Sequence, residues 1–273
     1  DATITGAIVN NNAITSSDGN GIQLGTGGEN GATILGGITN NNNIASGLRH
    51  GIAAIEGQLS GGLTNATDAT ISGGLAGIFI ADTFGAWAGG IDNAGQISGF
   101  NAGIQIGDGD ADGNIAFSGG ITNDFEASIN SANGPAILIT NDVASFTGGI
   151  TNYSEISGGF AAIVIESDTF GGGVTNSGSI IATDEFSDAI YVNTAWTGNF
   201  DNDGLIQSGG DGFVFDGTTY TGNFVNSDRI FSGKNGVAFF GTSFIGDFIN
   251  SDQIFGGKSG VVFSNGSLAI GST

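Results

Sequence analysis

The chain has 273 residues, enough for a sizeable core in one domain or two, and carries 53 glycines, a single proline and 39% hydrophobic residues. That excludes collagen, which needs proline and a strict triplet, and a disordered tail, which would be far less apolar. With 26 acidic side chains against 4 basic ones the net charge is −22, so nucleic acid and anionic membrane surfaces make poor partners, while cations are plausible ones.

There is no cysteine. This fits an exported chain that must not cross-link before arrival, and it equally fits chance in a cysteine-poor composition. Methionine is also absent, so Asp1 is not an initiator and the chain is expected to be processed or cut from something longer. No basic, apolar-cored signal peptide is present, and no apolar run approaches the ~18 residues of a membrane span.

Taken in chain order, the elements repeat. One phrase recurs: aromatic or aliphatic, any, Gly, Gly, aliphatic, any, Asn. It runs from Phe117 to Asn123 and from Phe146 to Asn152, and later drifts to the stretches Trp196 to Asn202 and Phe244 to Asn250. The closing residue marks ten copies, Asn10, Asn40, Asn65, Asn93, Asn123, Asn152, Asn176, Asn202, Asn226 and Asn250, spaced 24 to 30 apart. A second apolar position follows, usually four residues on: Ile14, Ile44, Ile71, Ile97, Ile129, Ile156, Ile180, Ile206, Ile230 and Ile254. A third segment then alternates two apolar residues, as in Ile78/Ile80, Ile104/Ile106, Ile163/Ile165, Phe213/Phe215 and Val261/Phe263. Each copy thus holds three short period-2 segments, which are strands, separated by turn residues.

No window shows a 3.6 period, and glycine at this density would cost a helix ~1 kcal/mol each time. A propeller blade needs about 40 to 50 residues, so a period of 24 to 30 fits one solenoid turn. The left-handed hexapeptide type keeps a more regular repeat near ~18 residues. The expected fold is therefore all-β: a right-handed parallel β-helix (β-solenoid) of about ten rungs of 24–30 residues, with three short strands per rung. It is read as one domain over residues 1–273 with open terminal rungs, the stretch 200–273 being the most regular and Phe-rich.

Alternation turns Phe117, Gly119, Ile121 and Asn123 to one side of a strand, which must be the core. The Asn series then falls at inward strand ends, where each amide can bond the next along the axis. It reads as a structural ladder. Trp87, Trp196 and Tyr220 occupy the aromatic slot before the Gly and are expected inside, which removes them as sugar platforms. The loops near Phe84, Phe170 and Phe186 are expected to be exposed, and the tract from Asp184 to Asp188 is a candidate for partner contact.

The phrase Gly149-Ile150-Thr151-Asn152, continued by Tyr153-Ser154-Glu155-Ile156-Ser157-Gly158, resembles the passenger repeats of bacterial autotransporters. The resemblance covers the whole chain, without a C-terminal translocator barrel. It implies an extracellular β-helix, often an adhesin or stalk, that crosses the outer membrane unfolded, and it brings no catalytic residues. In that family the C-terminal end emerges first, which suits a folding nucleus there.

For catalysis, a β-helix acting as a polysaccharide lyase or glycoside hydrolase uses clustered carboxylates, often with Arg or Lys. The basic residues here are Arg49, Arg229, Lys234 and Lys258, with His50 the sole histidine. Lys234 and Lys258 fall in the same slot of adjacent rungs and read as charge balance; His50, in a turn before a third strand, reads as surface decoration. No catalytic residue is assigned. Metal binding is better founded. The stretch 107–114 contains Asp108-x-Asp110-x-Asp112-Gly, alternating carboxylates that converge on a hard cation, and calcium is the expected ion. The Glu that an EF-hand needs at position twelve is Gly119 here, so neighbouring rungs must donate oxygens. Asp82 and Asp142, which like Asp108 and Asp168 follow third strands of successive rungs, are the candidates.

The expected function is a non-catalytic extracellular or cell-surface scaffold, structural or adhesive: an acidic rod that pairs end to end through its terminal rungs or docks on a neighbouring module. Cell-surface and glycan partners are compatible with it; nucleic acid and membrane insertion are not. The alternative is a polysaccharide-binding or polysaccharide-degrading β-helix protein.

Overall fold

The computed structural model describes residues 2–25, 31–81, 86–110, 115–241, 243–264 and 267–270; Asp82, Phe84 and Asp112 lie outside them. Apolar alternations of two to six residues, broken by Gly, Asn and Ser, give strands of that length and, among the described residues, no helix. The strands stack in parallel as a β-solenoid of about ten turns with three strands per turn. Three ladders of ten strands each run along it. One goes from Ile8–Asn10 to Phe248–Asn250, the second from Ile14–Ser16 to Ile254–Gly256, the third from Ile22–Leu24 to Ser259–Phe263.

The aromatic arm adds further pairing. Ala2–Ile4, Ala32–Ile34 and Gln58–Leu59 form one short sheet, and eight strands from Ala86–Trp87 to Ser267–Ile270 form another. The phrase from Phe117 to Asn123 is therefore not one straight strand. It bends at its glycines into Ile115–Phe117 and Ile121–Asn123, with Gly120 at φ 74°. A Cβ on Gly119 would stand 2.1 Å from the Gly90 nitrogen, so this corner stacks backbone on backbone and admits no side chain. Phe117 and Ile121 still both point inward.

Register places like on like. The ten isoleucines from Ile14 to Ile254 pair in one unbroken column. The aromatic column runs Trp87, Phe117, Phe146, Phe170, Trp196, Tyr220, Phe244. Its rings lie nearly parallel at most steps, with centroids 5.0 Å apart for Phe117–Phe146 and 5.1 Å for Tyr220–Phe244. Trp87, Trp196 and Tyr220 are fully buried, as their slot requires; the Trp196 indole donates to the Gly198 carbonyl at 2.7 Å and the Tyr220 hydroxyl to the Asn223 carbonyl at 3.0 Å. Phe170 departs from expectation: it is 1% exposed, because it falls in this same column against Phe146 and Trp196. One core cluster extends from Leu24 to Phe244. Each fully buried Ile or Phe in it contributes roughly 1.5–3 kcal/mol.

The Asn column is the polar counterpart. Nine amide-to-amide hydrogen bonds of 2.7–2.8 Å link Asn10 through Asn250, each Nδ2 donating to the Oδ1 of the next rung. The same Nδ2 groups also reach turn carbonyls; Asn152 donates to those of Ser154 at 3.0 Å and Ser179 at 3.1 Å. The eight members from Asn40 to Asn226 have no exposed surface. A buried polar row this complete is stable because every member is satisfied. Replacing Asn152 by Ala removes the partner of one Asn123 N–H, which keeps its other bond to the Glu155 carbonyl, and of the Asn176 acceptor, and should cost about 3 kcal/mol in denaturant unfolding. Asn250→Ala, at an exposed position, should cost less than about 1 kcal/mol.

Candidate functional site

The repeat faces carry the framework, so chemistry must come from the corners and outward slots. The acidic corner follows the third ladder. Gly107 and Gly109 take φ values of 95° and 88°, which wraps residues 107–110 around the Asp142 carboxylate one rung on. Asp142 is 1% exposed and accepts from the Asp108 N–H at 2.9 Å, the Gly109 N–H at 3.3 Å and the Thr140 hydroxyl. The Asp110 N–H donates to Asp108 Oδ1 at 3.2 Å. Carboxylate oxygens of Asp108, Asp110 and Asp142 lie within 4.8 Å of one another, the first two exposed. Two of the sequence-predicted ligands thus meet Asp142, one of the two donors expected from neighbouring rungs. Asp168 is not in the group; Asp112 and Asp82 lie outside the described residues. These three carboxylates are close enough together to hold one cation between them, and Asp142 also serves as the anion that closes the loop.

His50 is not surface decoration. Its ring lies flat on Phe79 of the next rung, with centroids 4.4 Å apart and planes at 12°, and its Nδ1 is buried with no hydrogen-bond partner among the described residues. Burial, and then the neighbouring Arg49 charge, lower its pKa to about 4.

The concave feature sequence reasoning did not assemble lies between the second and third ladders. A hollow of about 330 Å³ is walled by Phe160 and Phe186, floored by Val164 and Tyr191, and edged by Glu166 and Asp188. Val164 and Tyr191 are paired outward residues of the third ladder. Phe160 and Phe186 stand on the corner before that ladder, 60% and 70% exposed, so Phe186 is as open as its loop predicted. Asp188 Oδ1 accepts from the Asp211 N–H at 2.7 Å, and Asp211 Oδ1 in turn accepts from both nitrogens of Asn235. Burial raises the Asp188 pKa, the Asp211 hydrogen bond lowers it, the Asp211 charge raises it and Lys234 lowers it. Tyr191 is likewise raised, by burial and then by Asp216, Glu166 and Asp188. Lys234 stacks below Lys258 as the spacing predicted, with the Lys258 N–H on the Lys234 carbonyl at 2.7 Å, while Lys234 Nζ reaches the Phe186 carbonyl at 3.5 Å.

The fold and these two corners define a β-solenoid with an acidic surface. No family model matches the chain, and no curated protein or solved structure does either.

The His50 environment has a pH consequence. The unfolded chain takes up the imidazole proton near pH 6.5 and the folded chain only near 4, so acid favours the unfolded state across that window. This contribution to stability is whole above about 6.5 and gone below about 4. Melting temperature followed from pH 7 to 4 should fall more steeply in the native chain than in His50→Phe, which keeps a ring against Phe79 without a titrating group.

Proposed function

We propose that the chain is a non-catalytic structural or adhesive scaffold of an extracellular or bacterial cell surface, similar in kind to an autotransporter passenger. The observation behind this reading is the division of labour in the sequence. The recurrent Asn, Ile, Gly and aromatic residues are all engaged in holding rung to rung, and what varies is displayed at corners. Ten rungs at ~4.8 Å make an acidic rod ~50 Å long. Parallel strand addition at its outermost rungs, from a second copy or an adjoining module of a longer chain, extends the same ladders into a fibre or stalk. Electron micrographs and sedimentation of the purified chain should give rods that lengthen with concentration; particles of fixed length at every concentration would remove the end-to-end part of the proposal.

Calcium belongs to this reading as a clamp on the loop at Asp108, Asp110 and Asp142. Titration calorimetry should show calcium uptake and a raised melting temperature in the native chain, both reduced in Asp110→Asn. Absence of heat with an unmoved melting temperature rules the clamp out.

The alternative, a polysaccharide-binding or polysaccharide-degrading β-helix protein, draws on the hollow at Phe160 and Phe186, where two carboxylates and Lys234 gather. Release of reducing ends or unsaturated products from a polysaccharide panel, abolished in Glu166→Gln, would favour it over the scaffold.

A further inference from the structure

The outward slots of the ladders differ in chemistry. In the Asn ladder half are threonine, as at Thr39, Thr64, Thr122 and Thr151, with Asp92 and Asp201 among the others and valine or isoleucine toward the two ends. In the third ladder they are mostly apolar: Phe79, Leu138, Val164, Tyr191 and Val214, with Gln105 between the first two. Val164 and Val214 are buried although they face outward. An apolar outer face on so charged a chain is where a partner is expected. The face opens into a hollow at Phe160 and Phe186.

Its chemistry selects among guests. The charged groups on its rim are the carboxylates Glu166 and Asp188, and the Asp216 charge acts on Tyr191 from beside it. The single nearby cation, Lys234, contacts the Phe186 backbone carbonyl and faces Asp188, leaving the local balance acidic. The whole chain carries −22, so an anionic guest is repelled and a neutral one gains nothing from the field. A cation gains twice, from the carboxylates and from the negative faces of Phe160, Phe186 and Tyr191. The volume is at the small end of ligand pockets, which range over roughly 300–1,000 Å³, and so suits one side chain better than an extended polymer.

We propose that this hollow receives an organic cation, an arginine or lysine side chain presented by a basic segment of a protein partner, held between Phe160 and Phe186 with its charge toward Glu166 and Asp188. The inference goes beyond the scaffold reading and stands without it, since the contact needs neither a rod nor its assembly.

The test uses the full chain, labelled for amide NMR, and three short blocked peptides: Gly-Arg-Gly, Gly-Lys-Gly and the neutral isostere Gly-citrulline-Gly. The two cationic peptides should shift the amides of Phe160, Ser187, Asp188 and Tyr191 saturably. Citrulline should bind about tenfold more weakly, and about 0.5 M salt should weaken the cationic peptides severalfold. Phe186→Ala and Glu166→Gln, at exposed and half-buried positions, should keep the native melting temperature and lose about threefold to tenfold in affinity. Equal binding of the arginine and citrulline peptides, or no shift at these amides with any peptide, overturns the proposal. So does a neutral oligosaccharide shifting the same amides where the cationic peptides do not; that outcome would also favour the polysaccharide reading. Fibre formation or its absence bears on neither result.

Discussion

The structure depends on one constraint: parallel strands stacked in register put each residue within ~4.8 Å of the residue in the same slot one rung away. A slot must therefore hold a residue that tolerates its own kind above and below. Isoleucine does, and fills an entire column from Ile14 to Ile254. Aromatic rings do, by lying parallel. Asparagine does because its amide is both donor and acceptor, so a row of identical side chains satisfies itself. Glycine at the bend does because backbone can then rest on backbone.

Carboxylates fail that test, and their placement follows. Two unit charges ~5 Å apart repel by about 1 kcal/mol in water and more where water is excluded. Among the described residues no acidic side chain stands in the inward columns, and Asp142 and Asp211 are buried at corners where backbone N–H groups and an asparagine hydrogen-bond them. Asp188 stands directly before Asp211 in the latter row and shows the cost, its pKa raised by burial and by that neighbour's charge. The Asp211 hydrogen bond and the Lys234 charge both lower it again, which keeps the row tolerable.

The same constraint decides what was legible in the sequence. A column announces itself by period, so the Asn and Ile series and the inward aromatics could be read without coordinates. Phe170 could have been read as well: it precedes Asn176 by the six residues that separate Phe146 from Asn152, but its Asp-Thr setting looks like a loop. The bend between Phe117 and Ile121 was hidden because alternation and a glycine turn both leave these side chains inward. His50 was misread because its partner, Phe79, is 29 residues on and outward, where no hydrophobic pattern points. The acidic corner was half legible: Asp108 and Asp110 form a motif, whereas the buried role of Asp142 depends on which rung faces the loop.

The hollow was the least legible feature, for a physical reason. It is made of outward slots and a corner loop whose length changes from rung to rung, so Phe160 and Phe186 hold no fixed offset from any column. Yet register is what makes it possible. The inward columns hold each rung so firmly that outward residues are released from the like-on-like rule, and Val164 can be followed by Tyr191, or Ala182 by a loop bearing Phe186, without disturbing the core. A solenoid in which every slot obeyed the rule would present ten identical faces and distinguish no partner. Specificity has to reside where successive rungs differ, and on this chain the hollow between Phe160 and Phe186 is such a difference, concave, apolar and acid-rimmed.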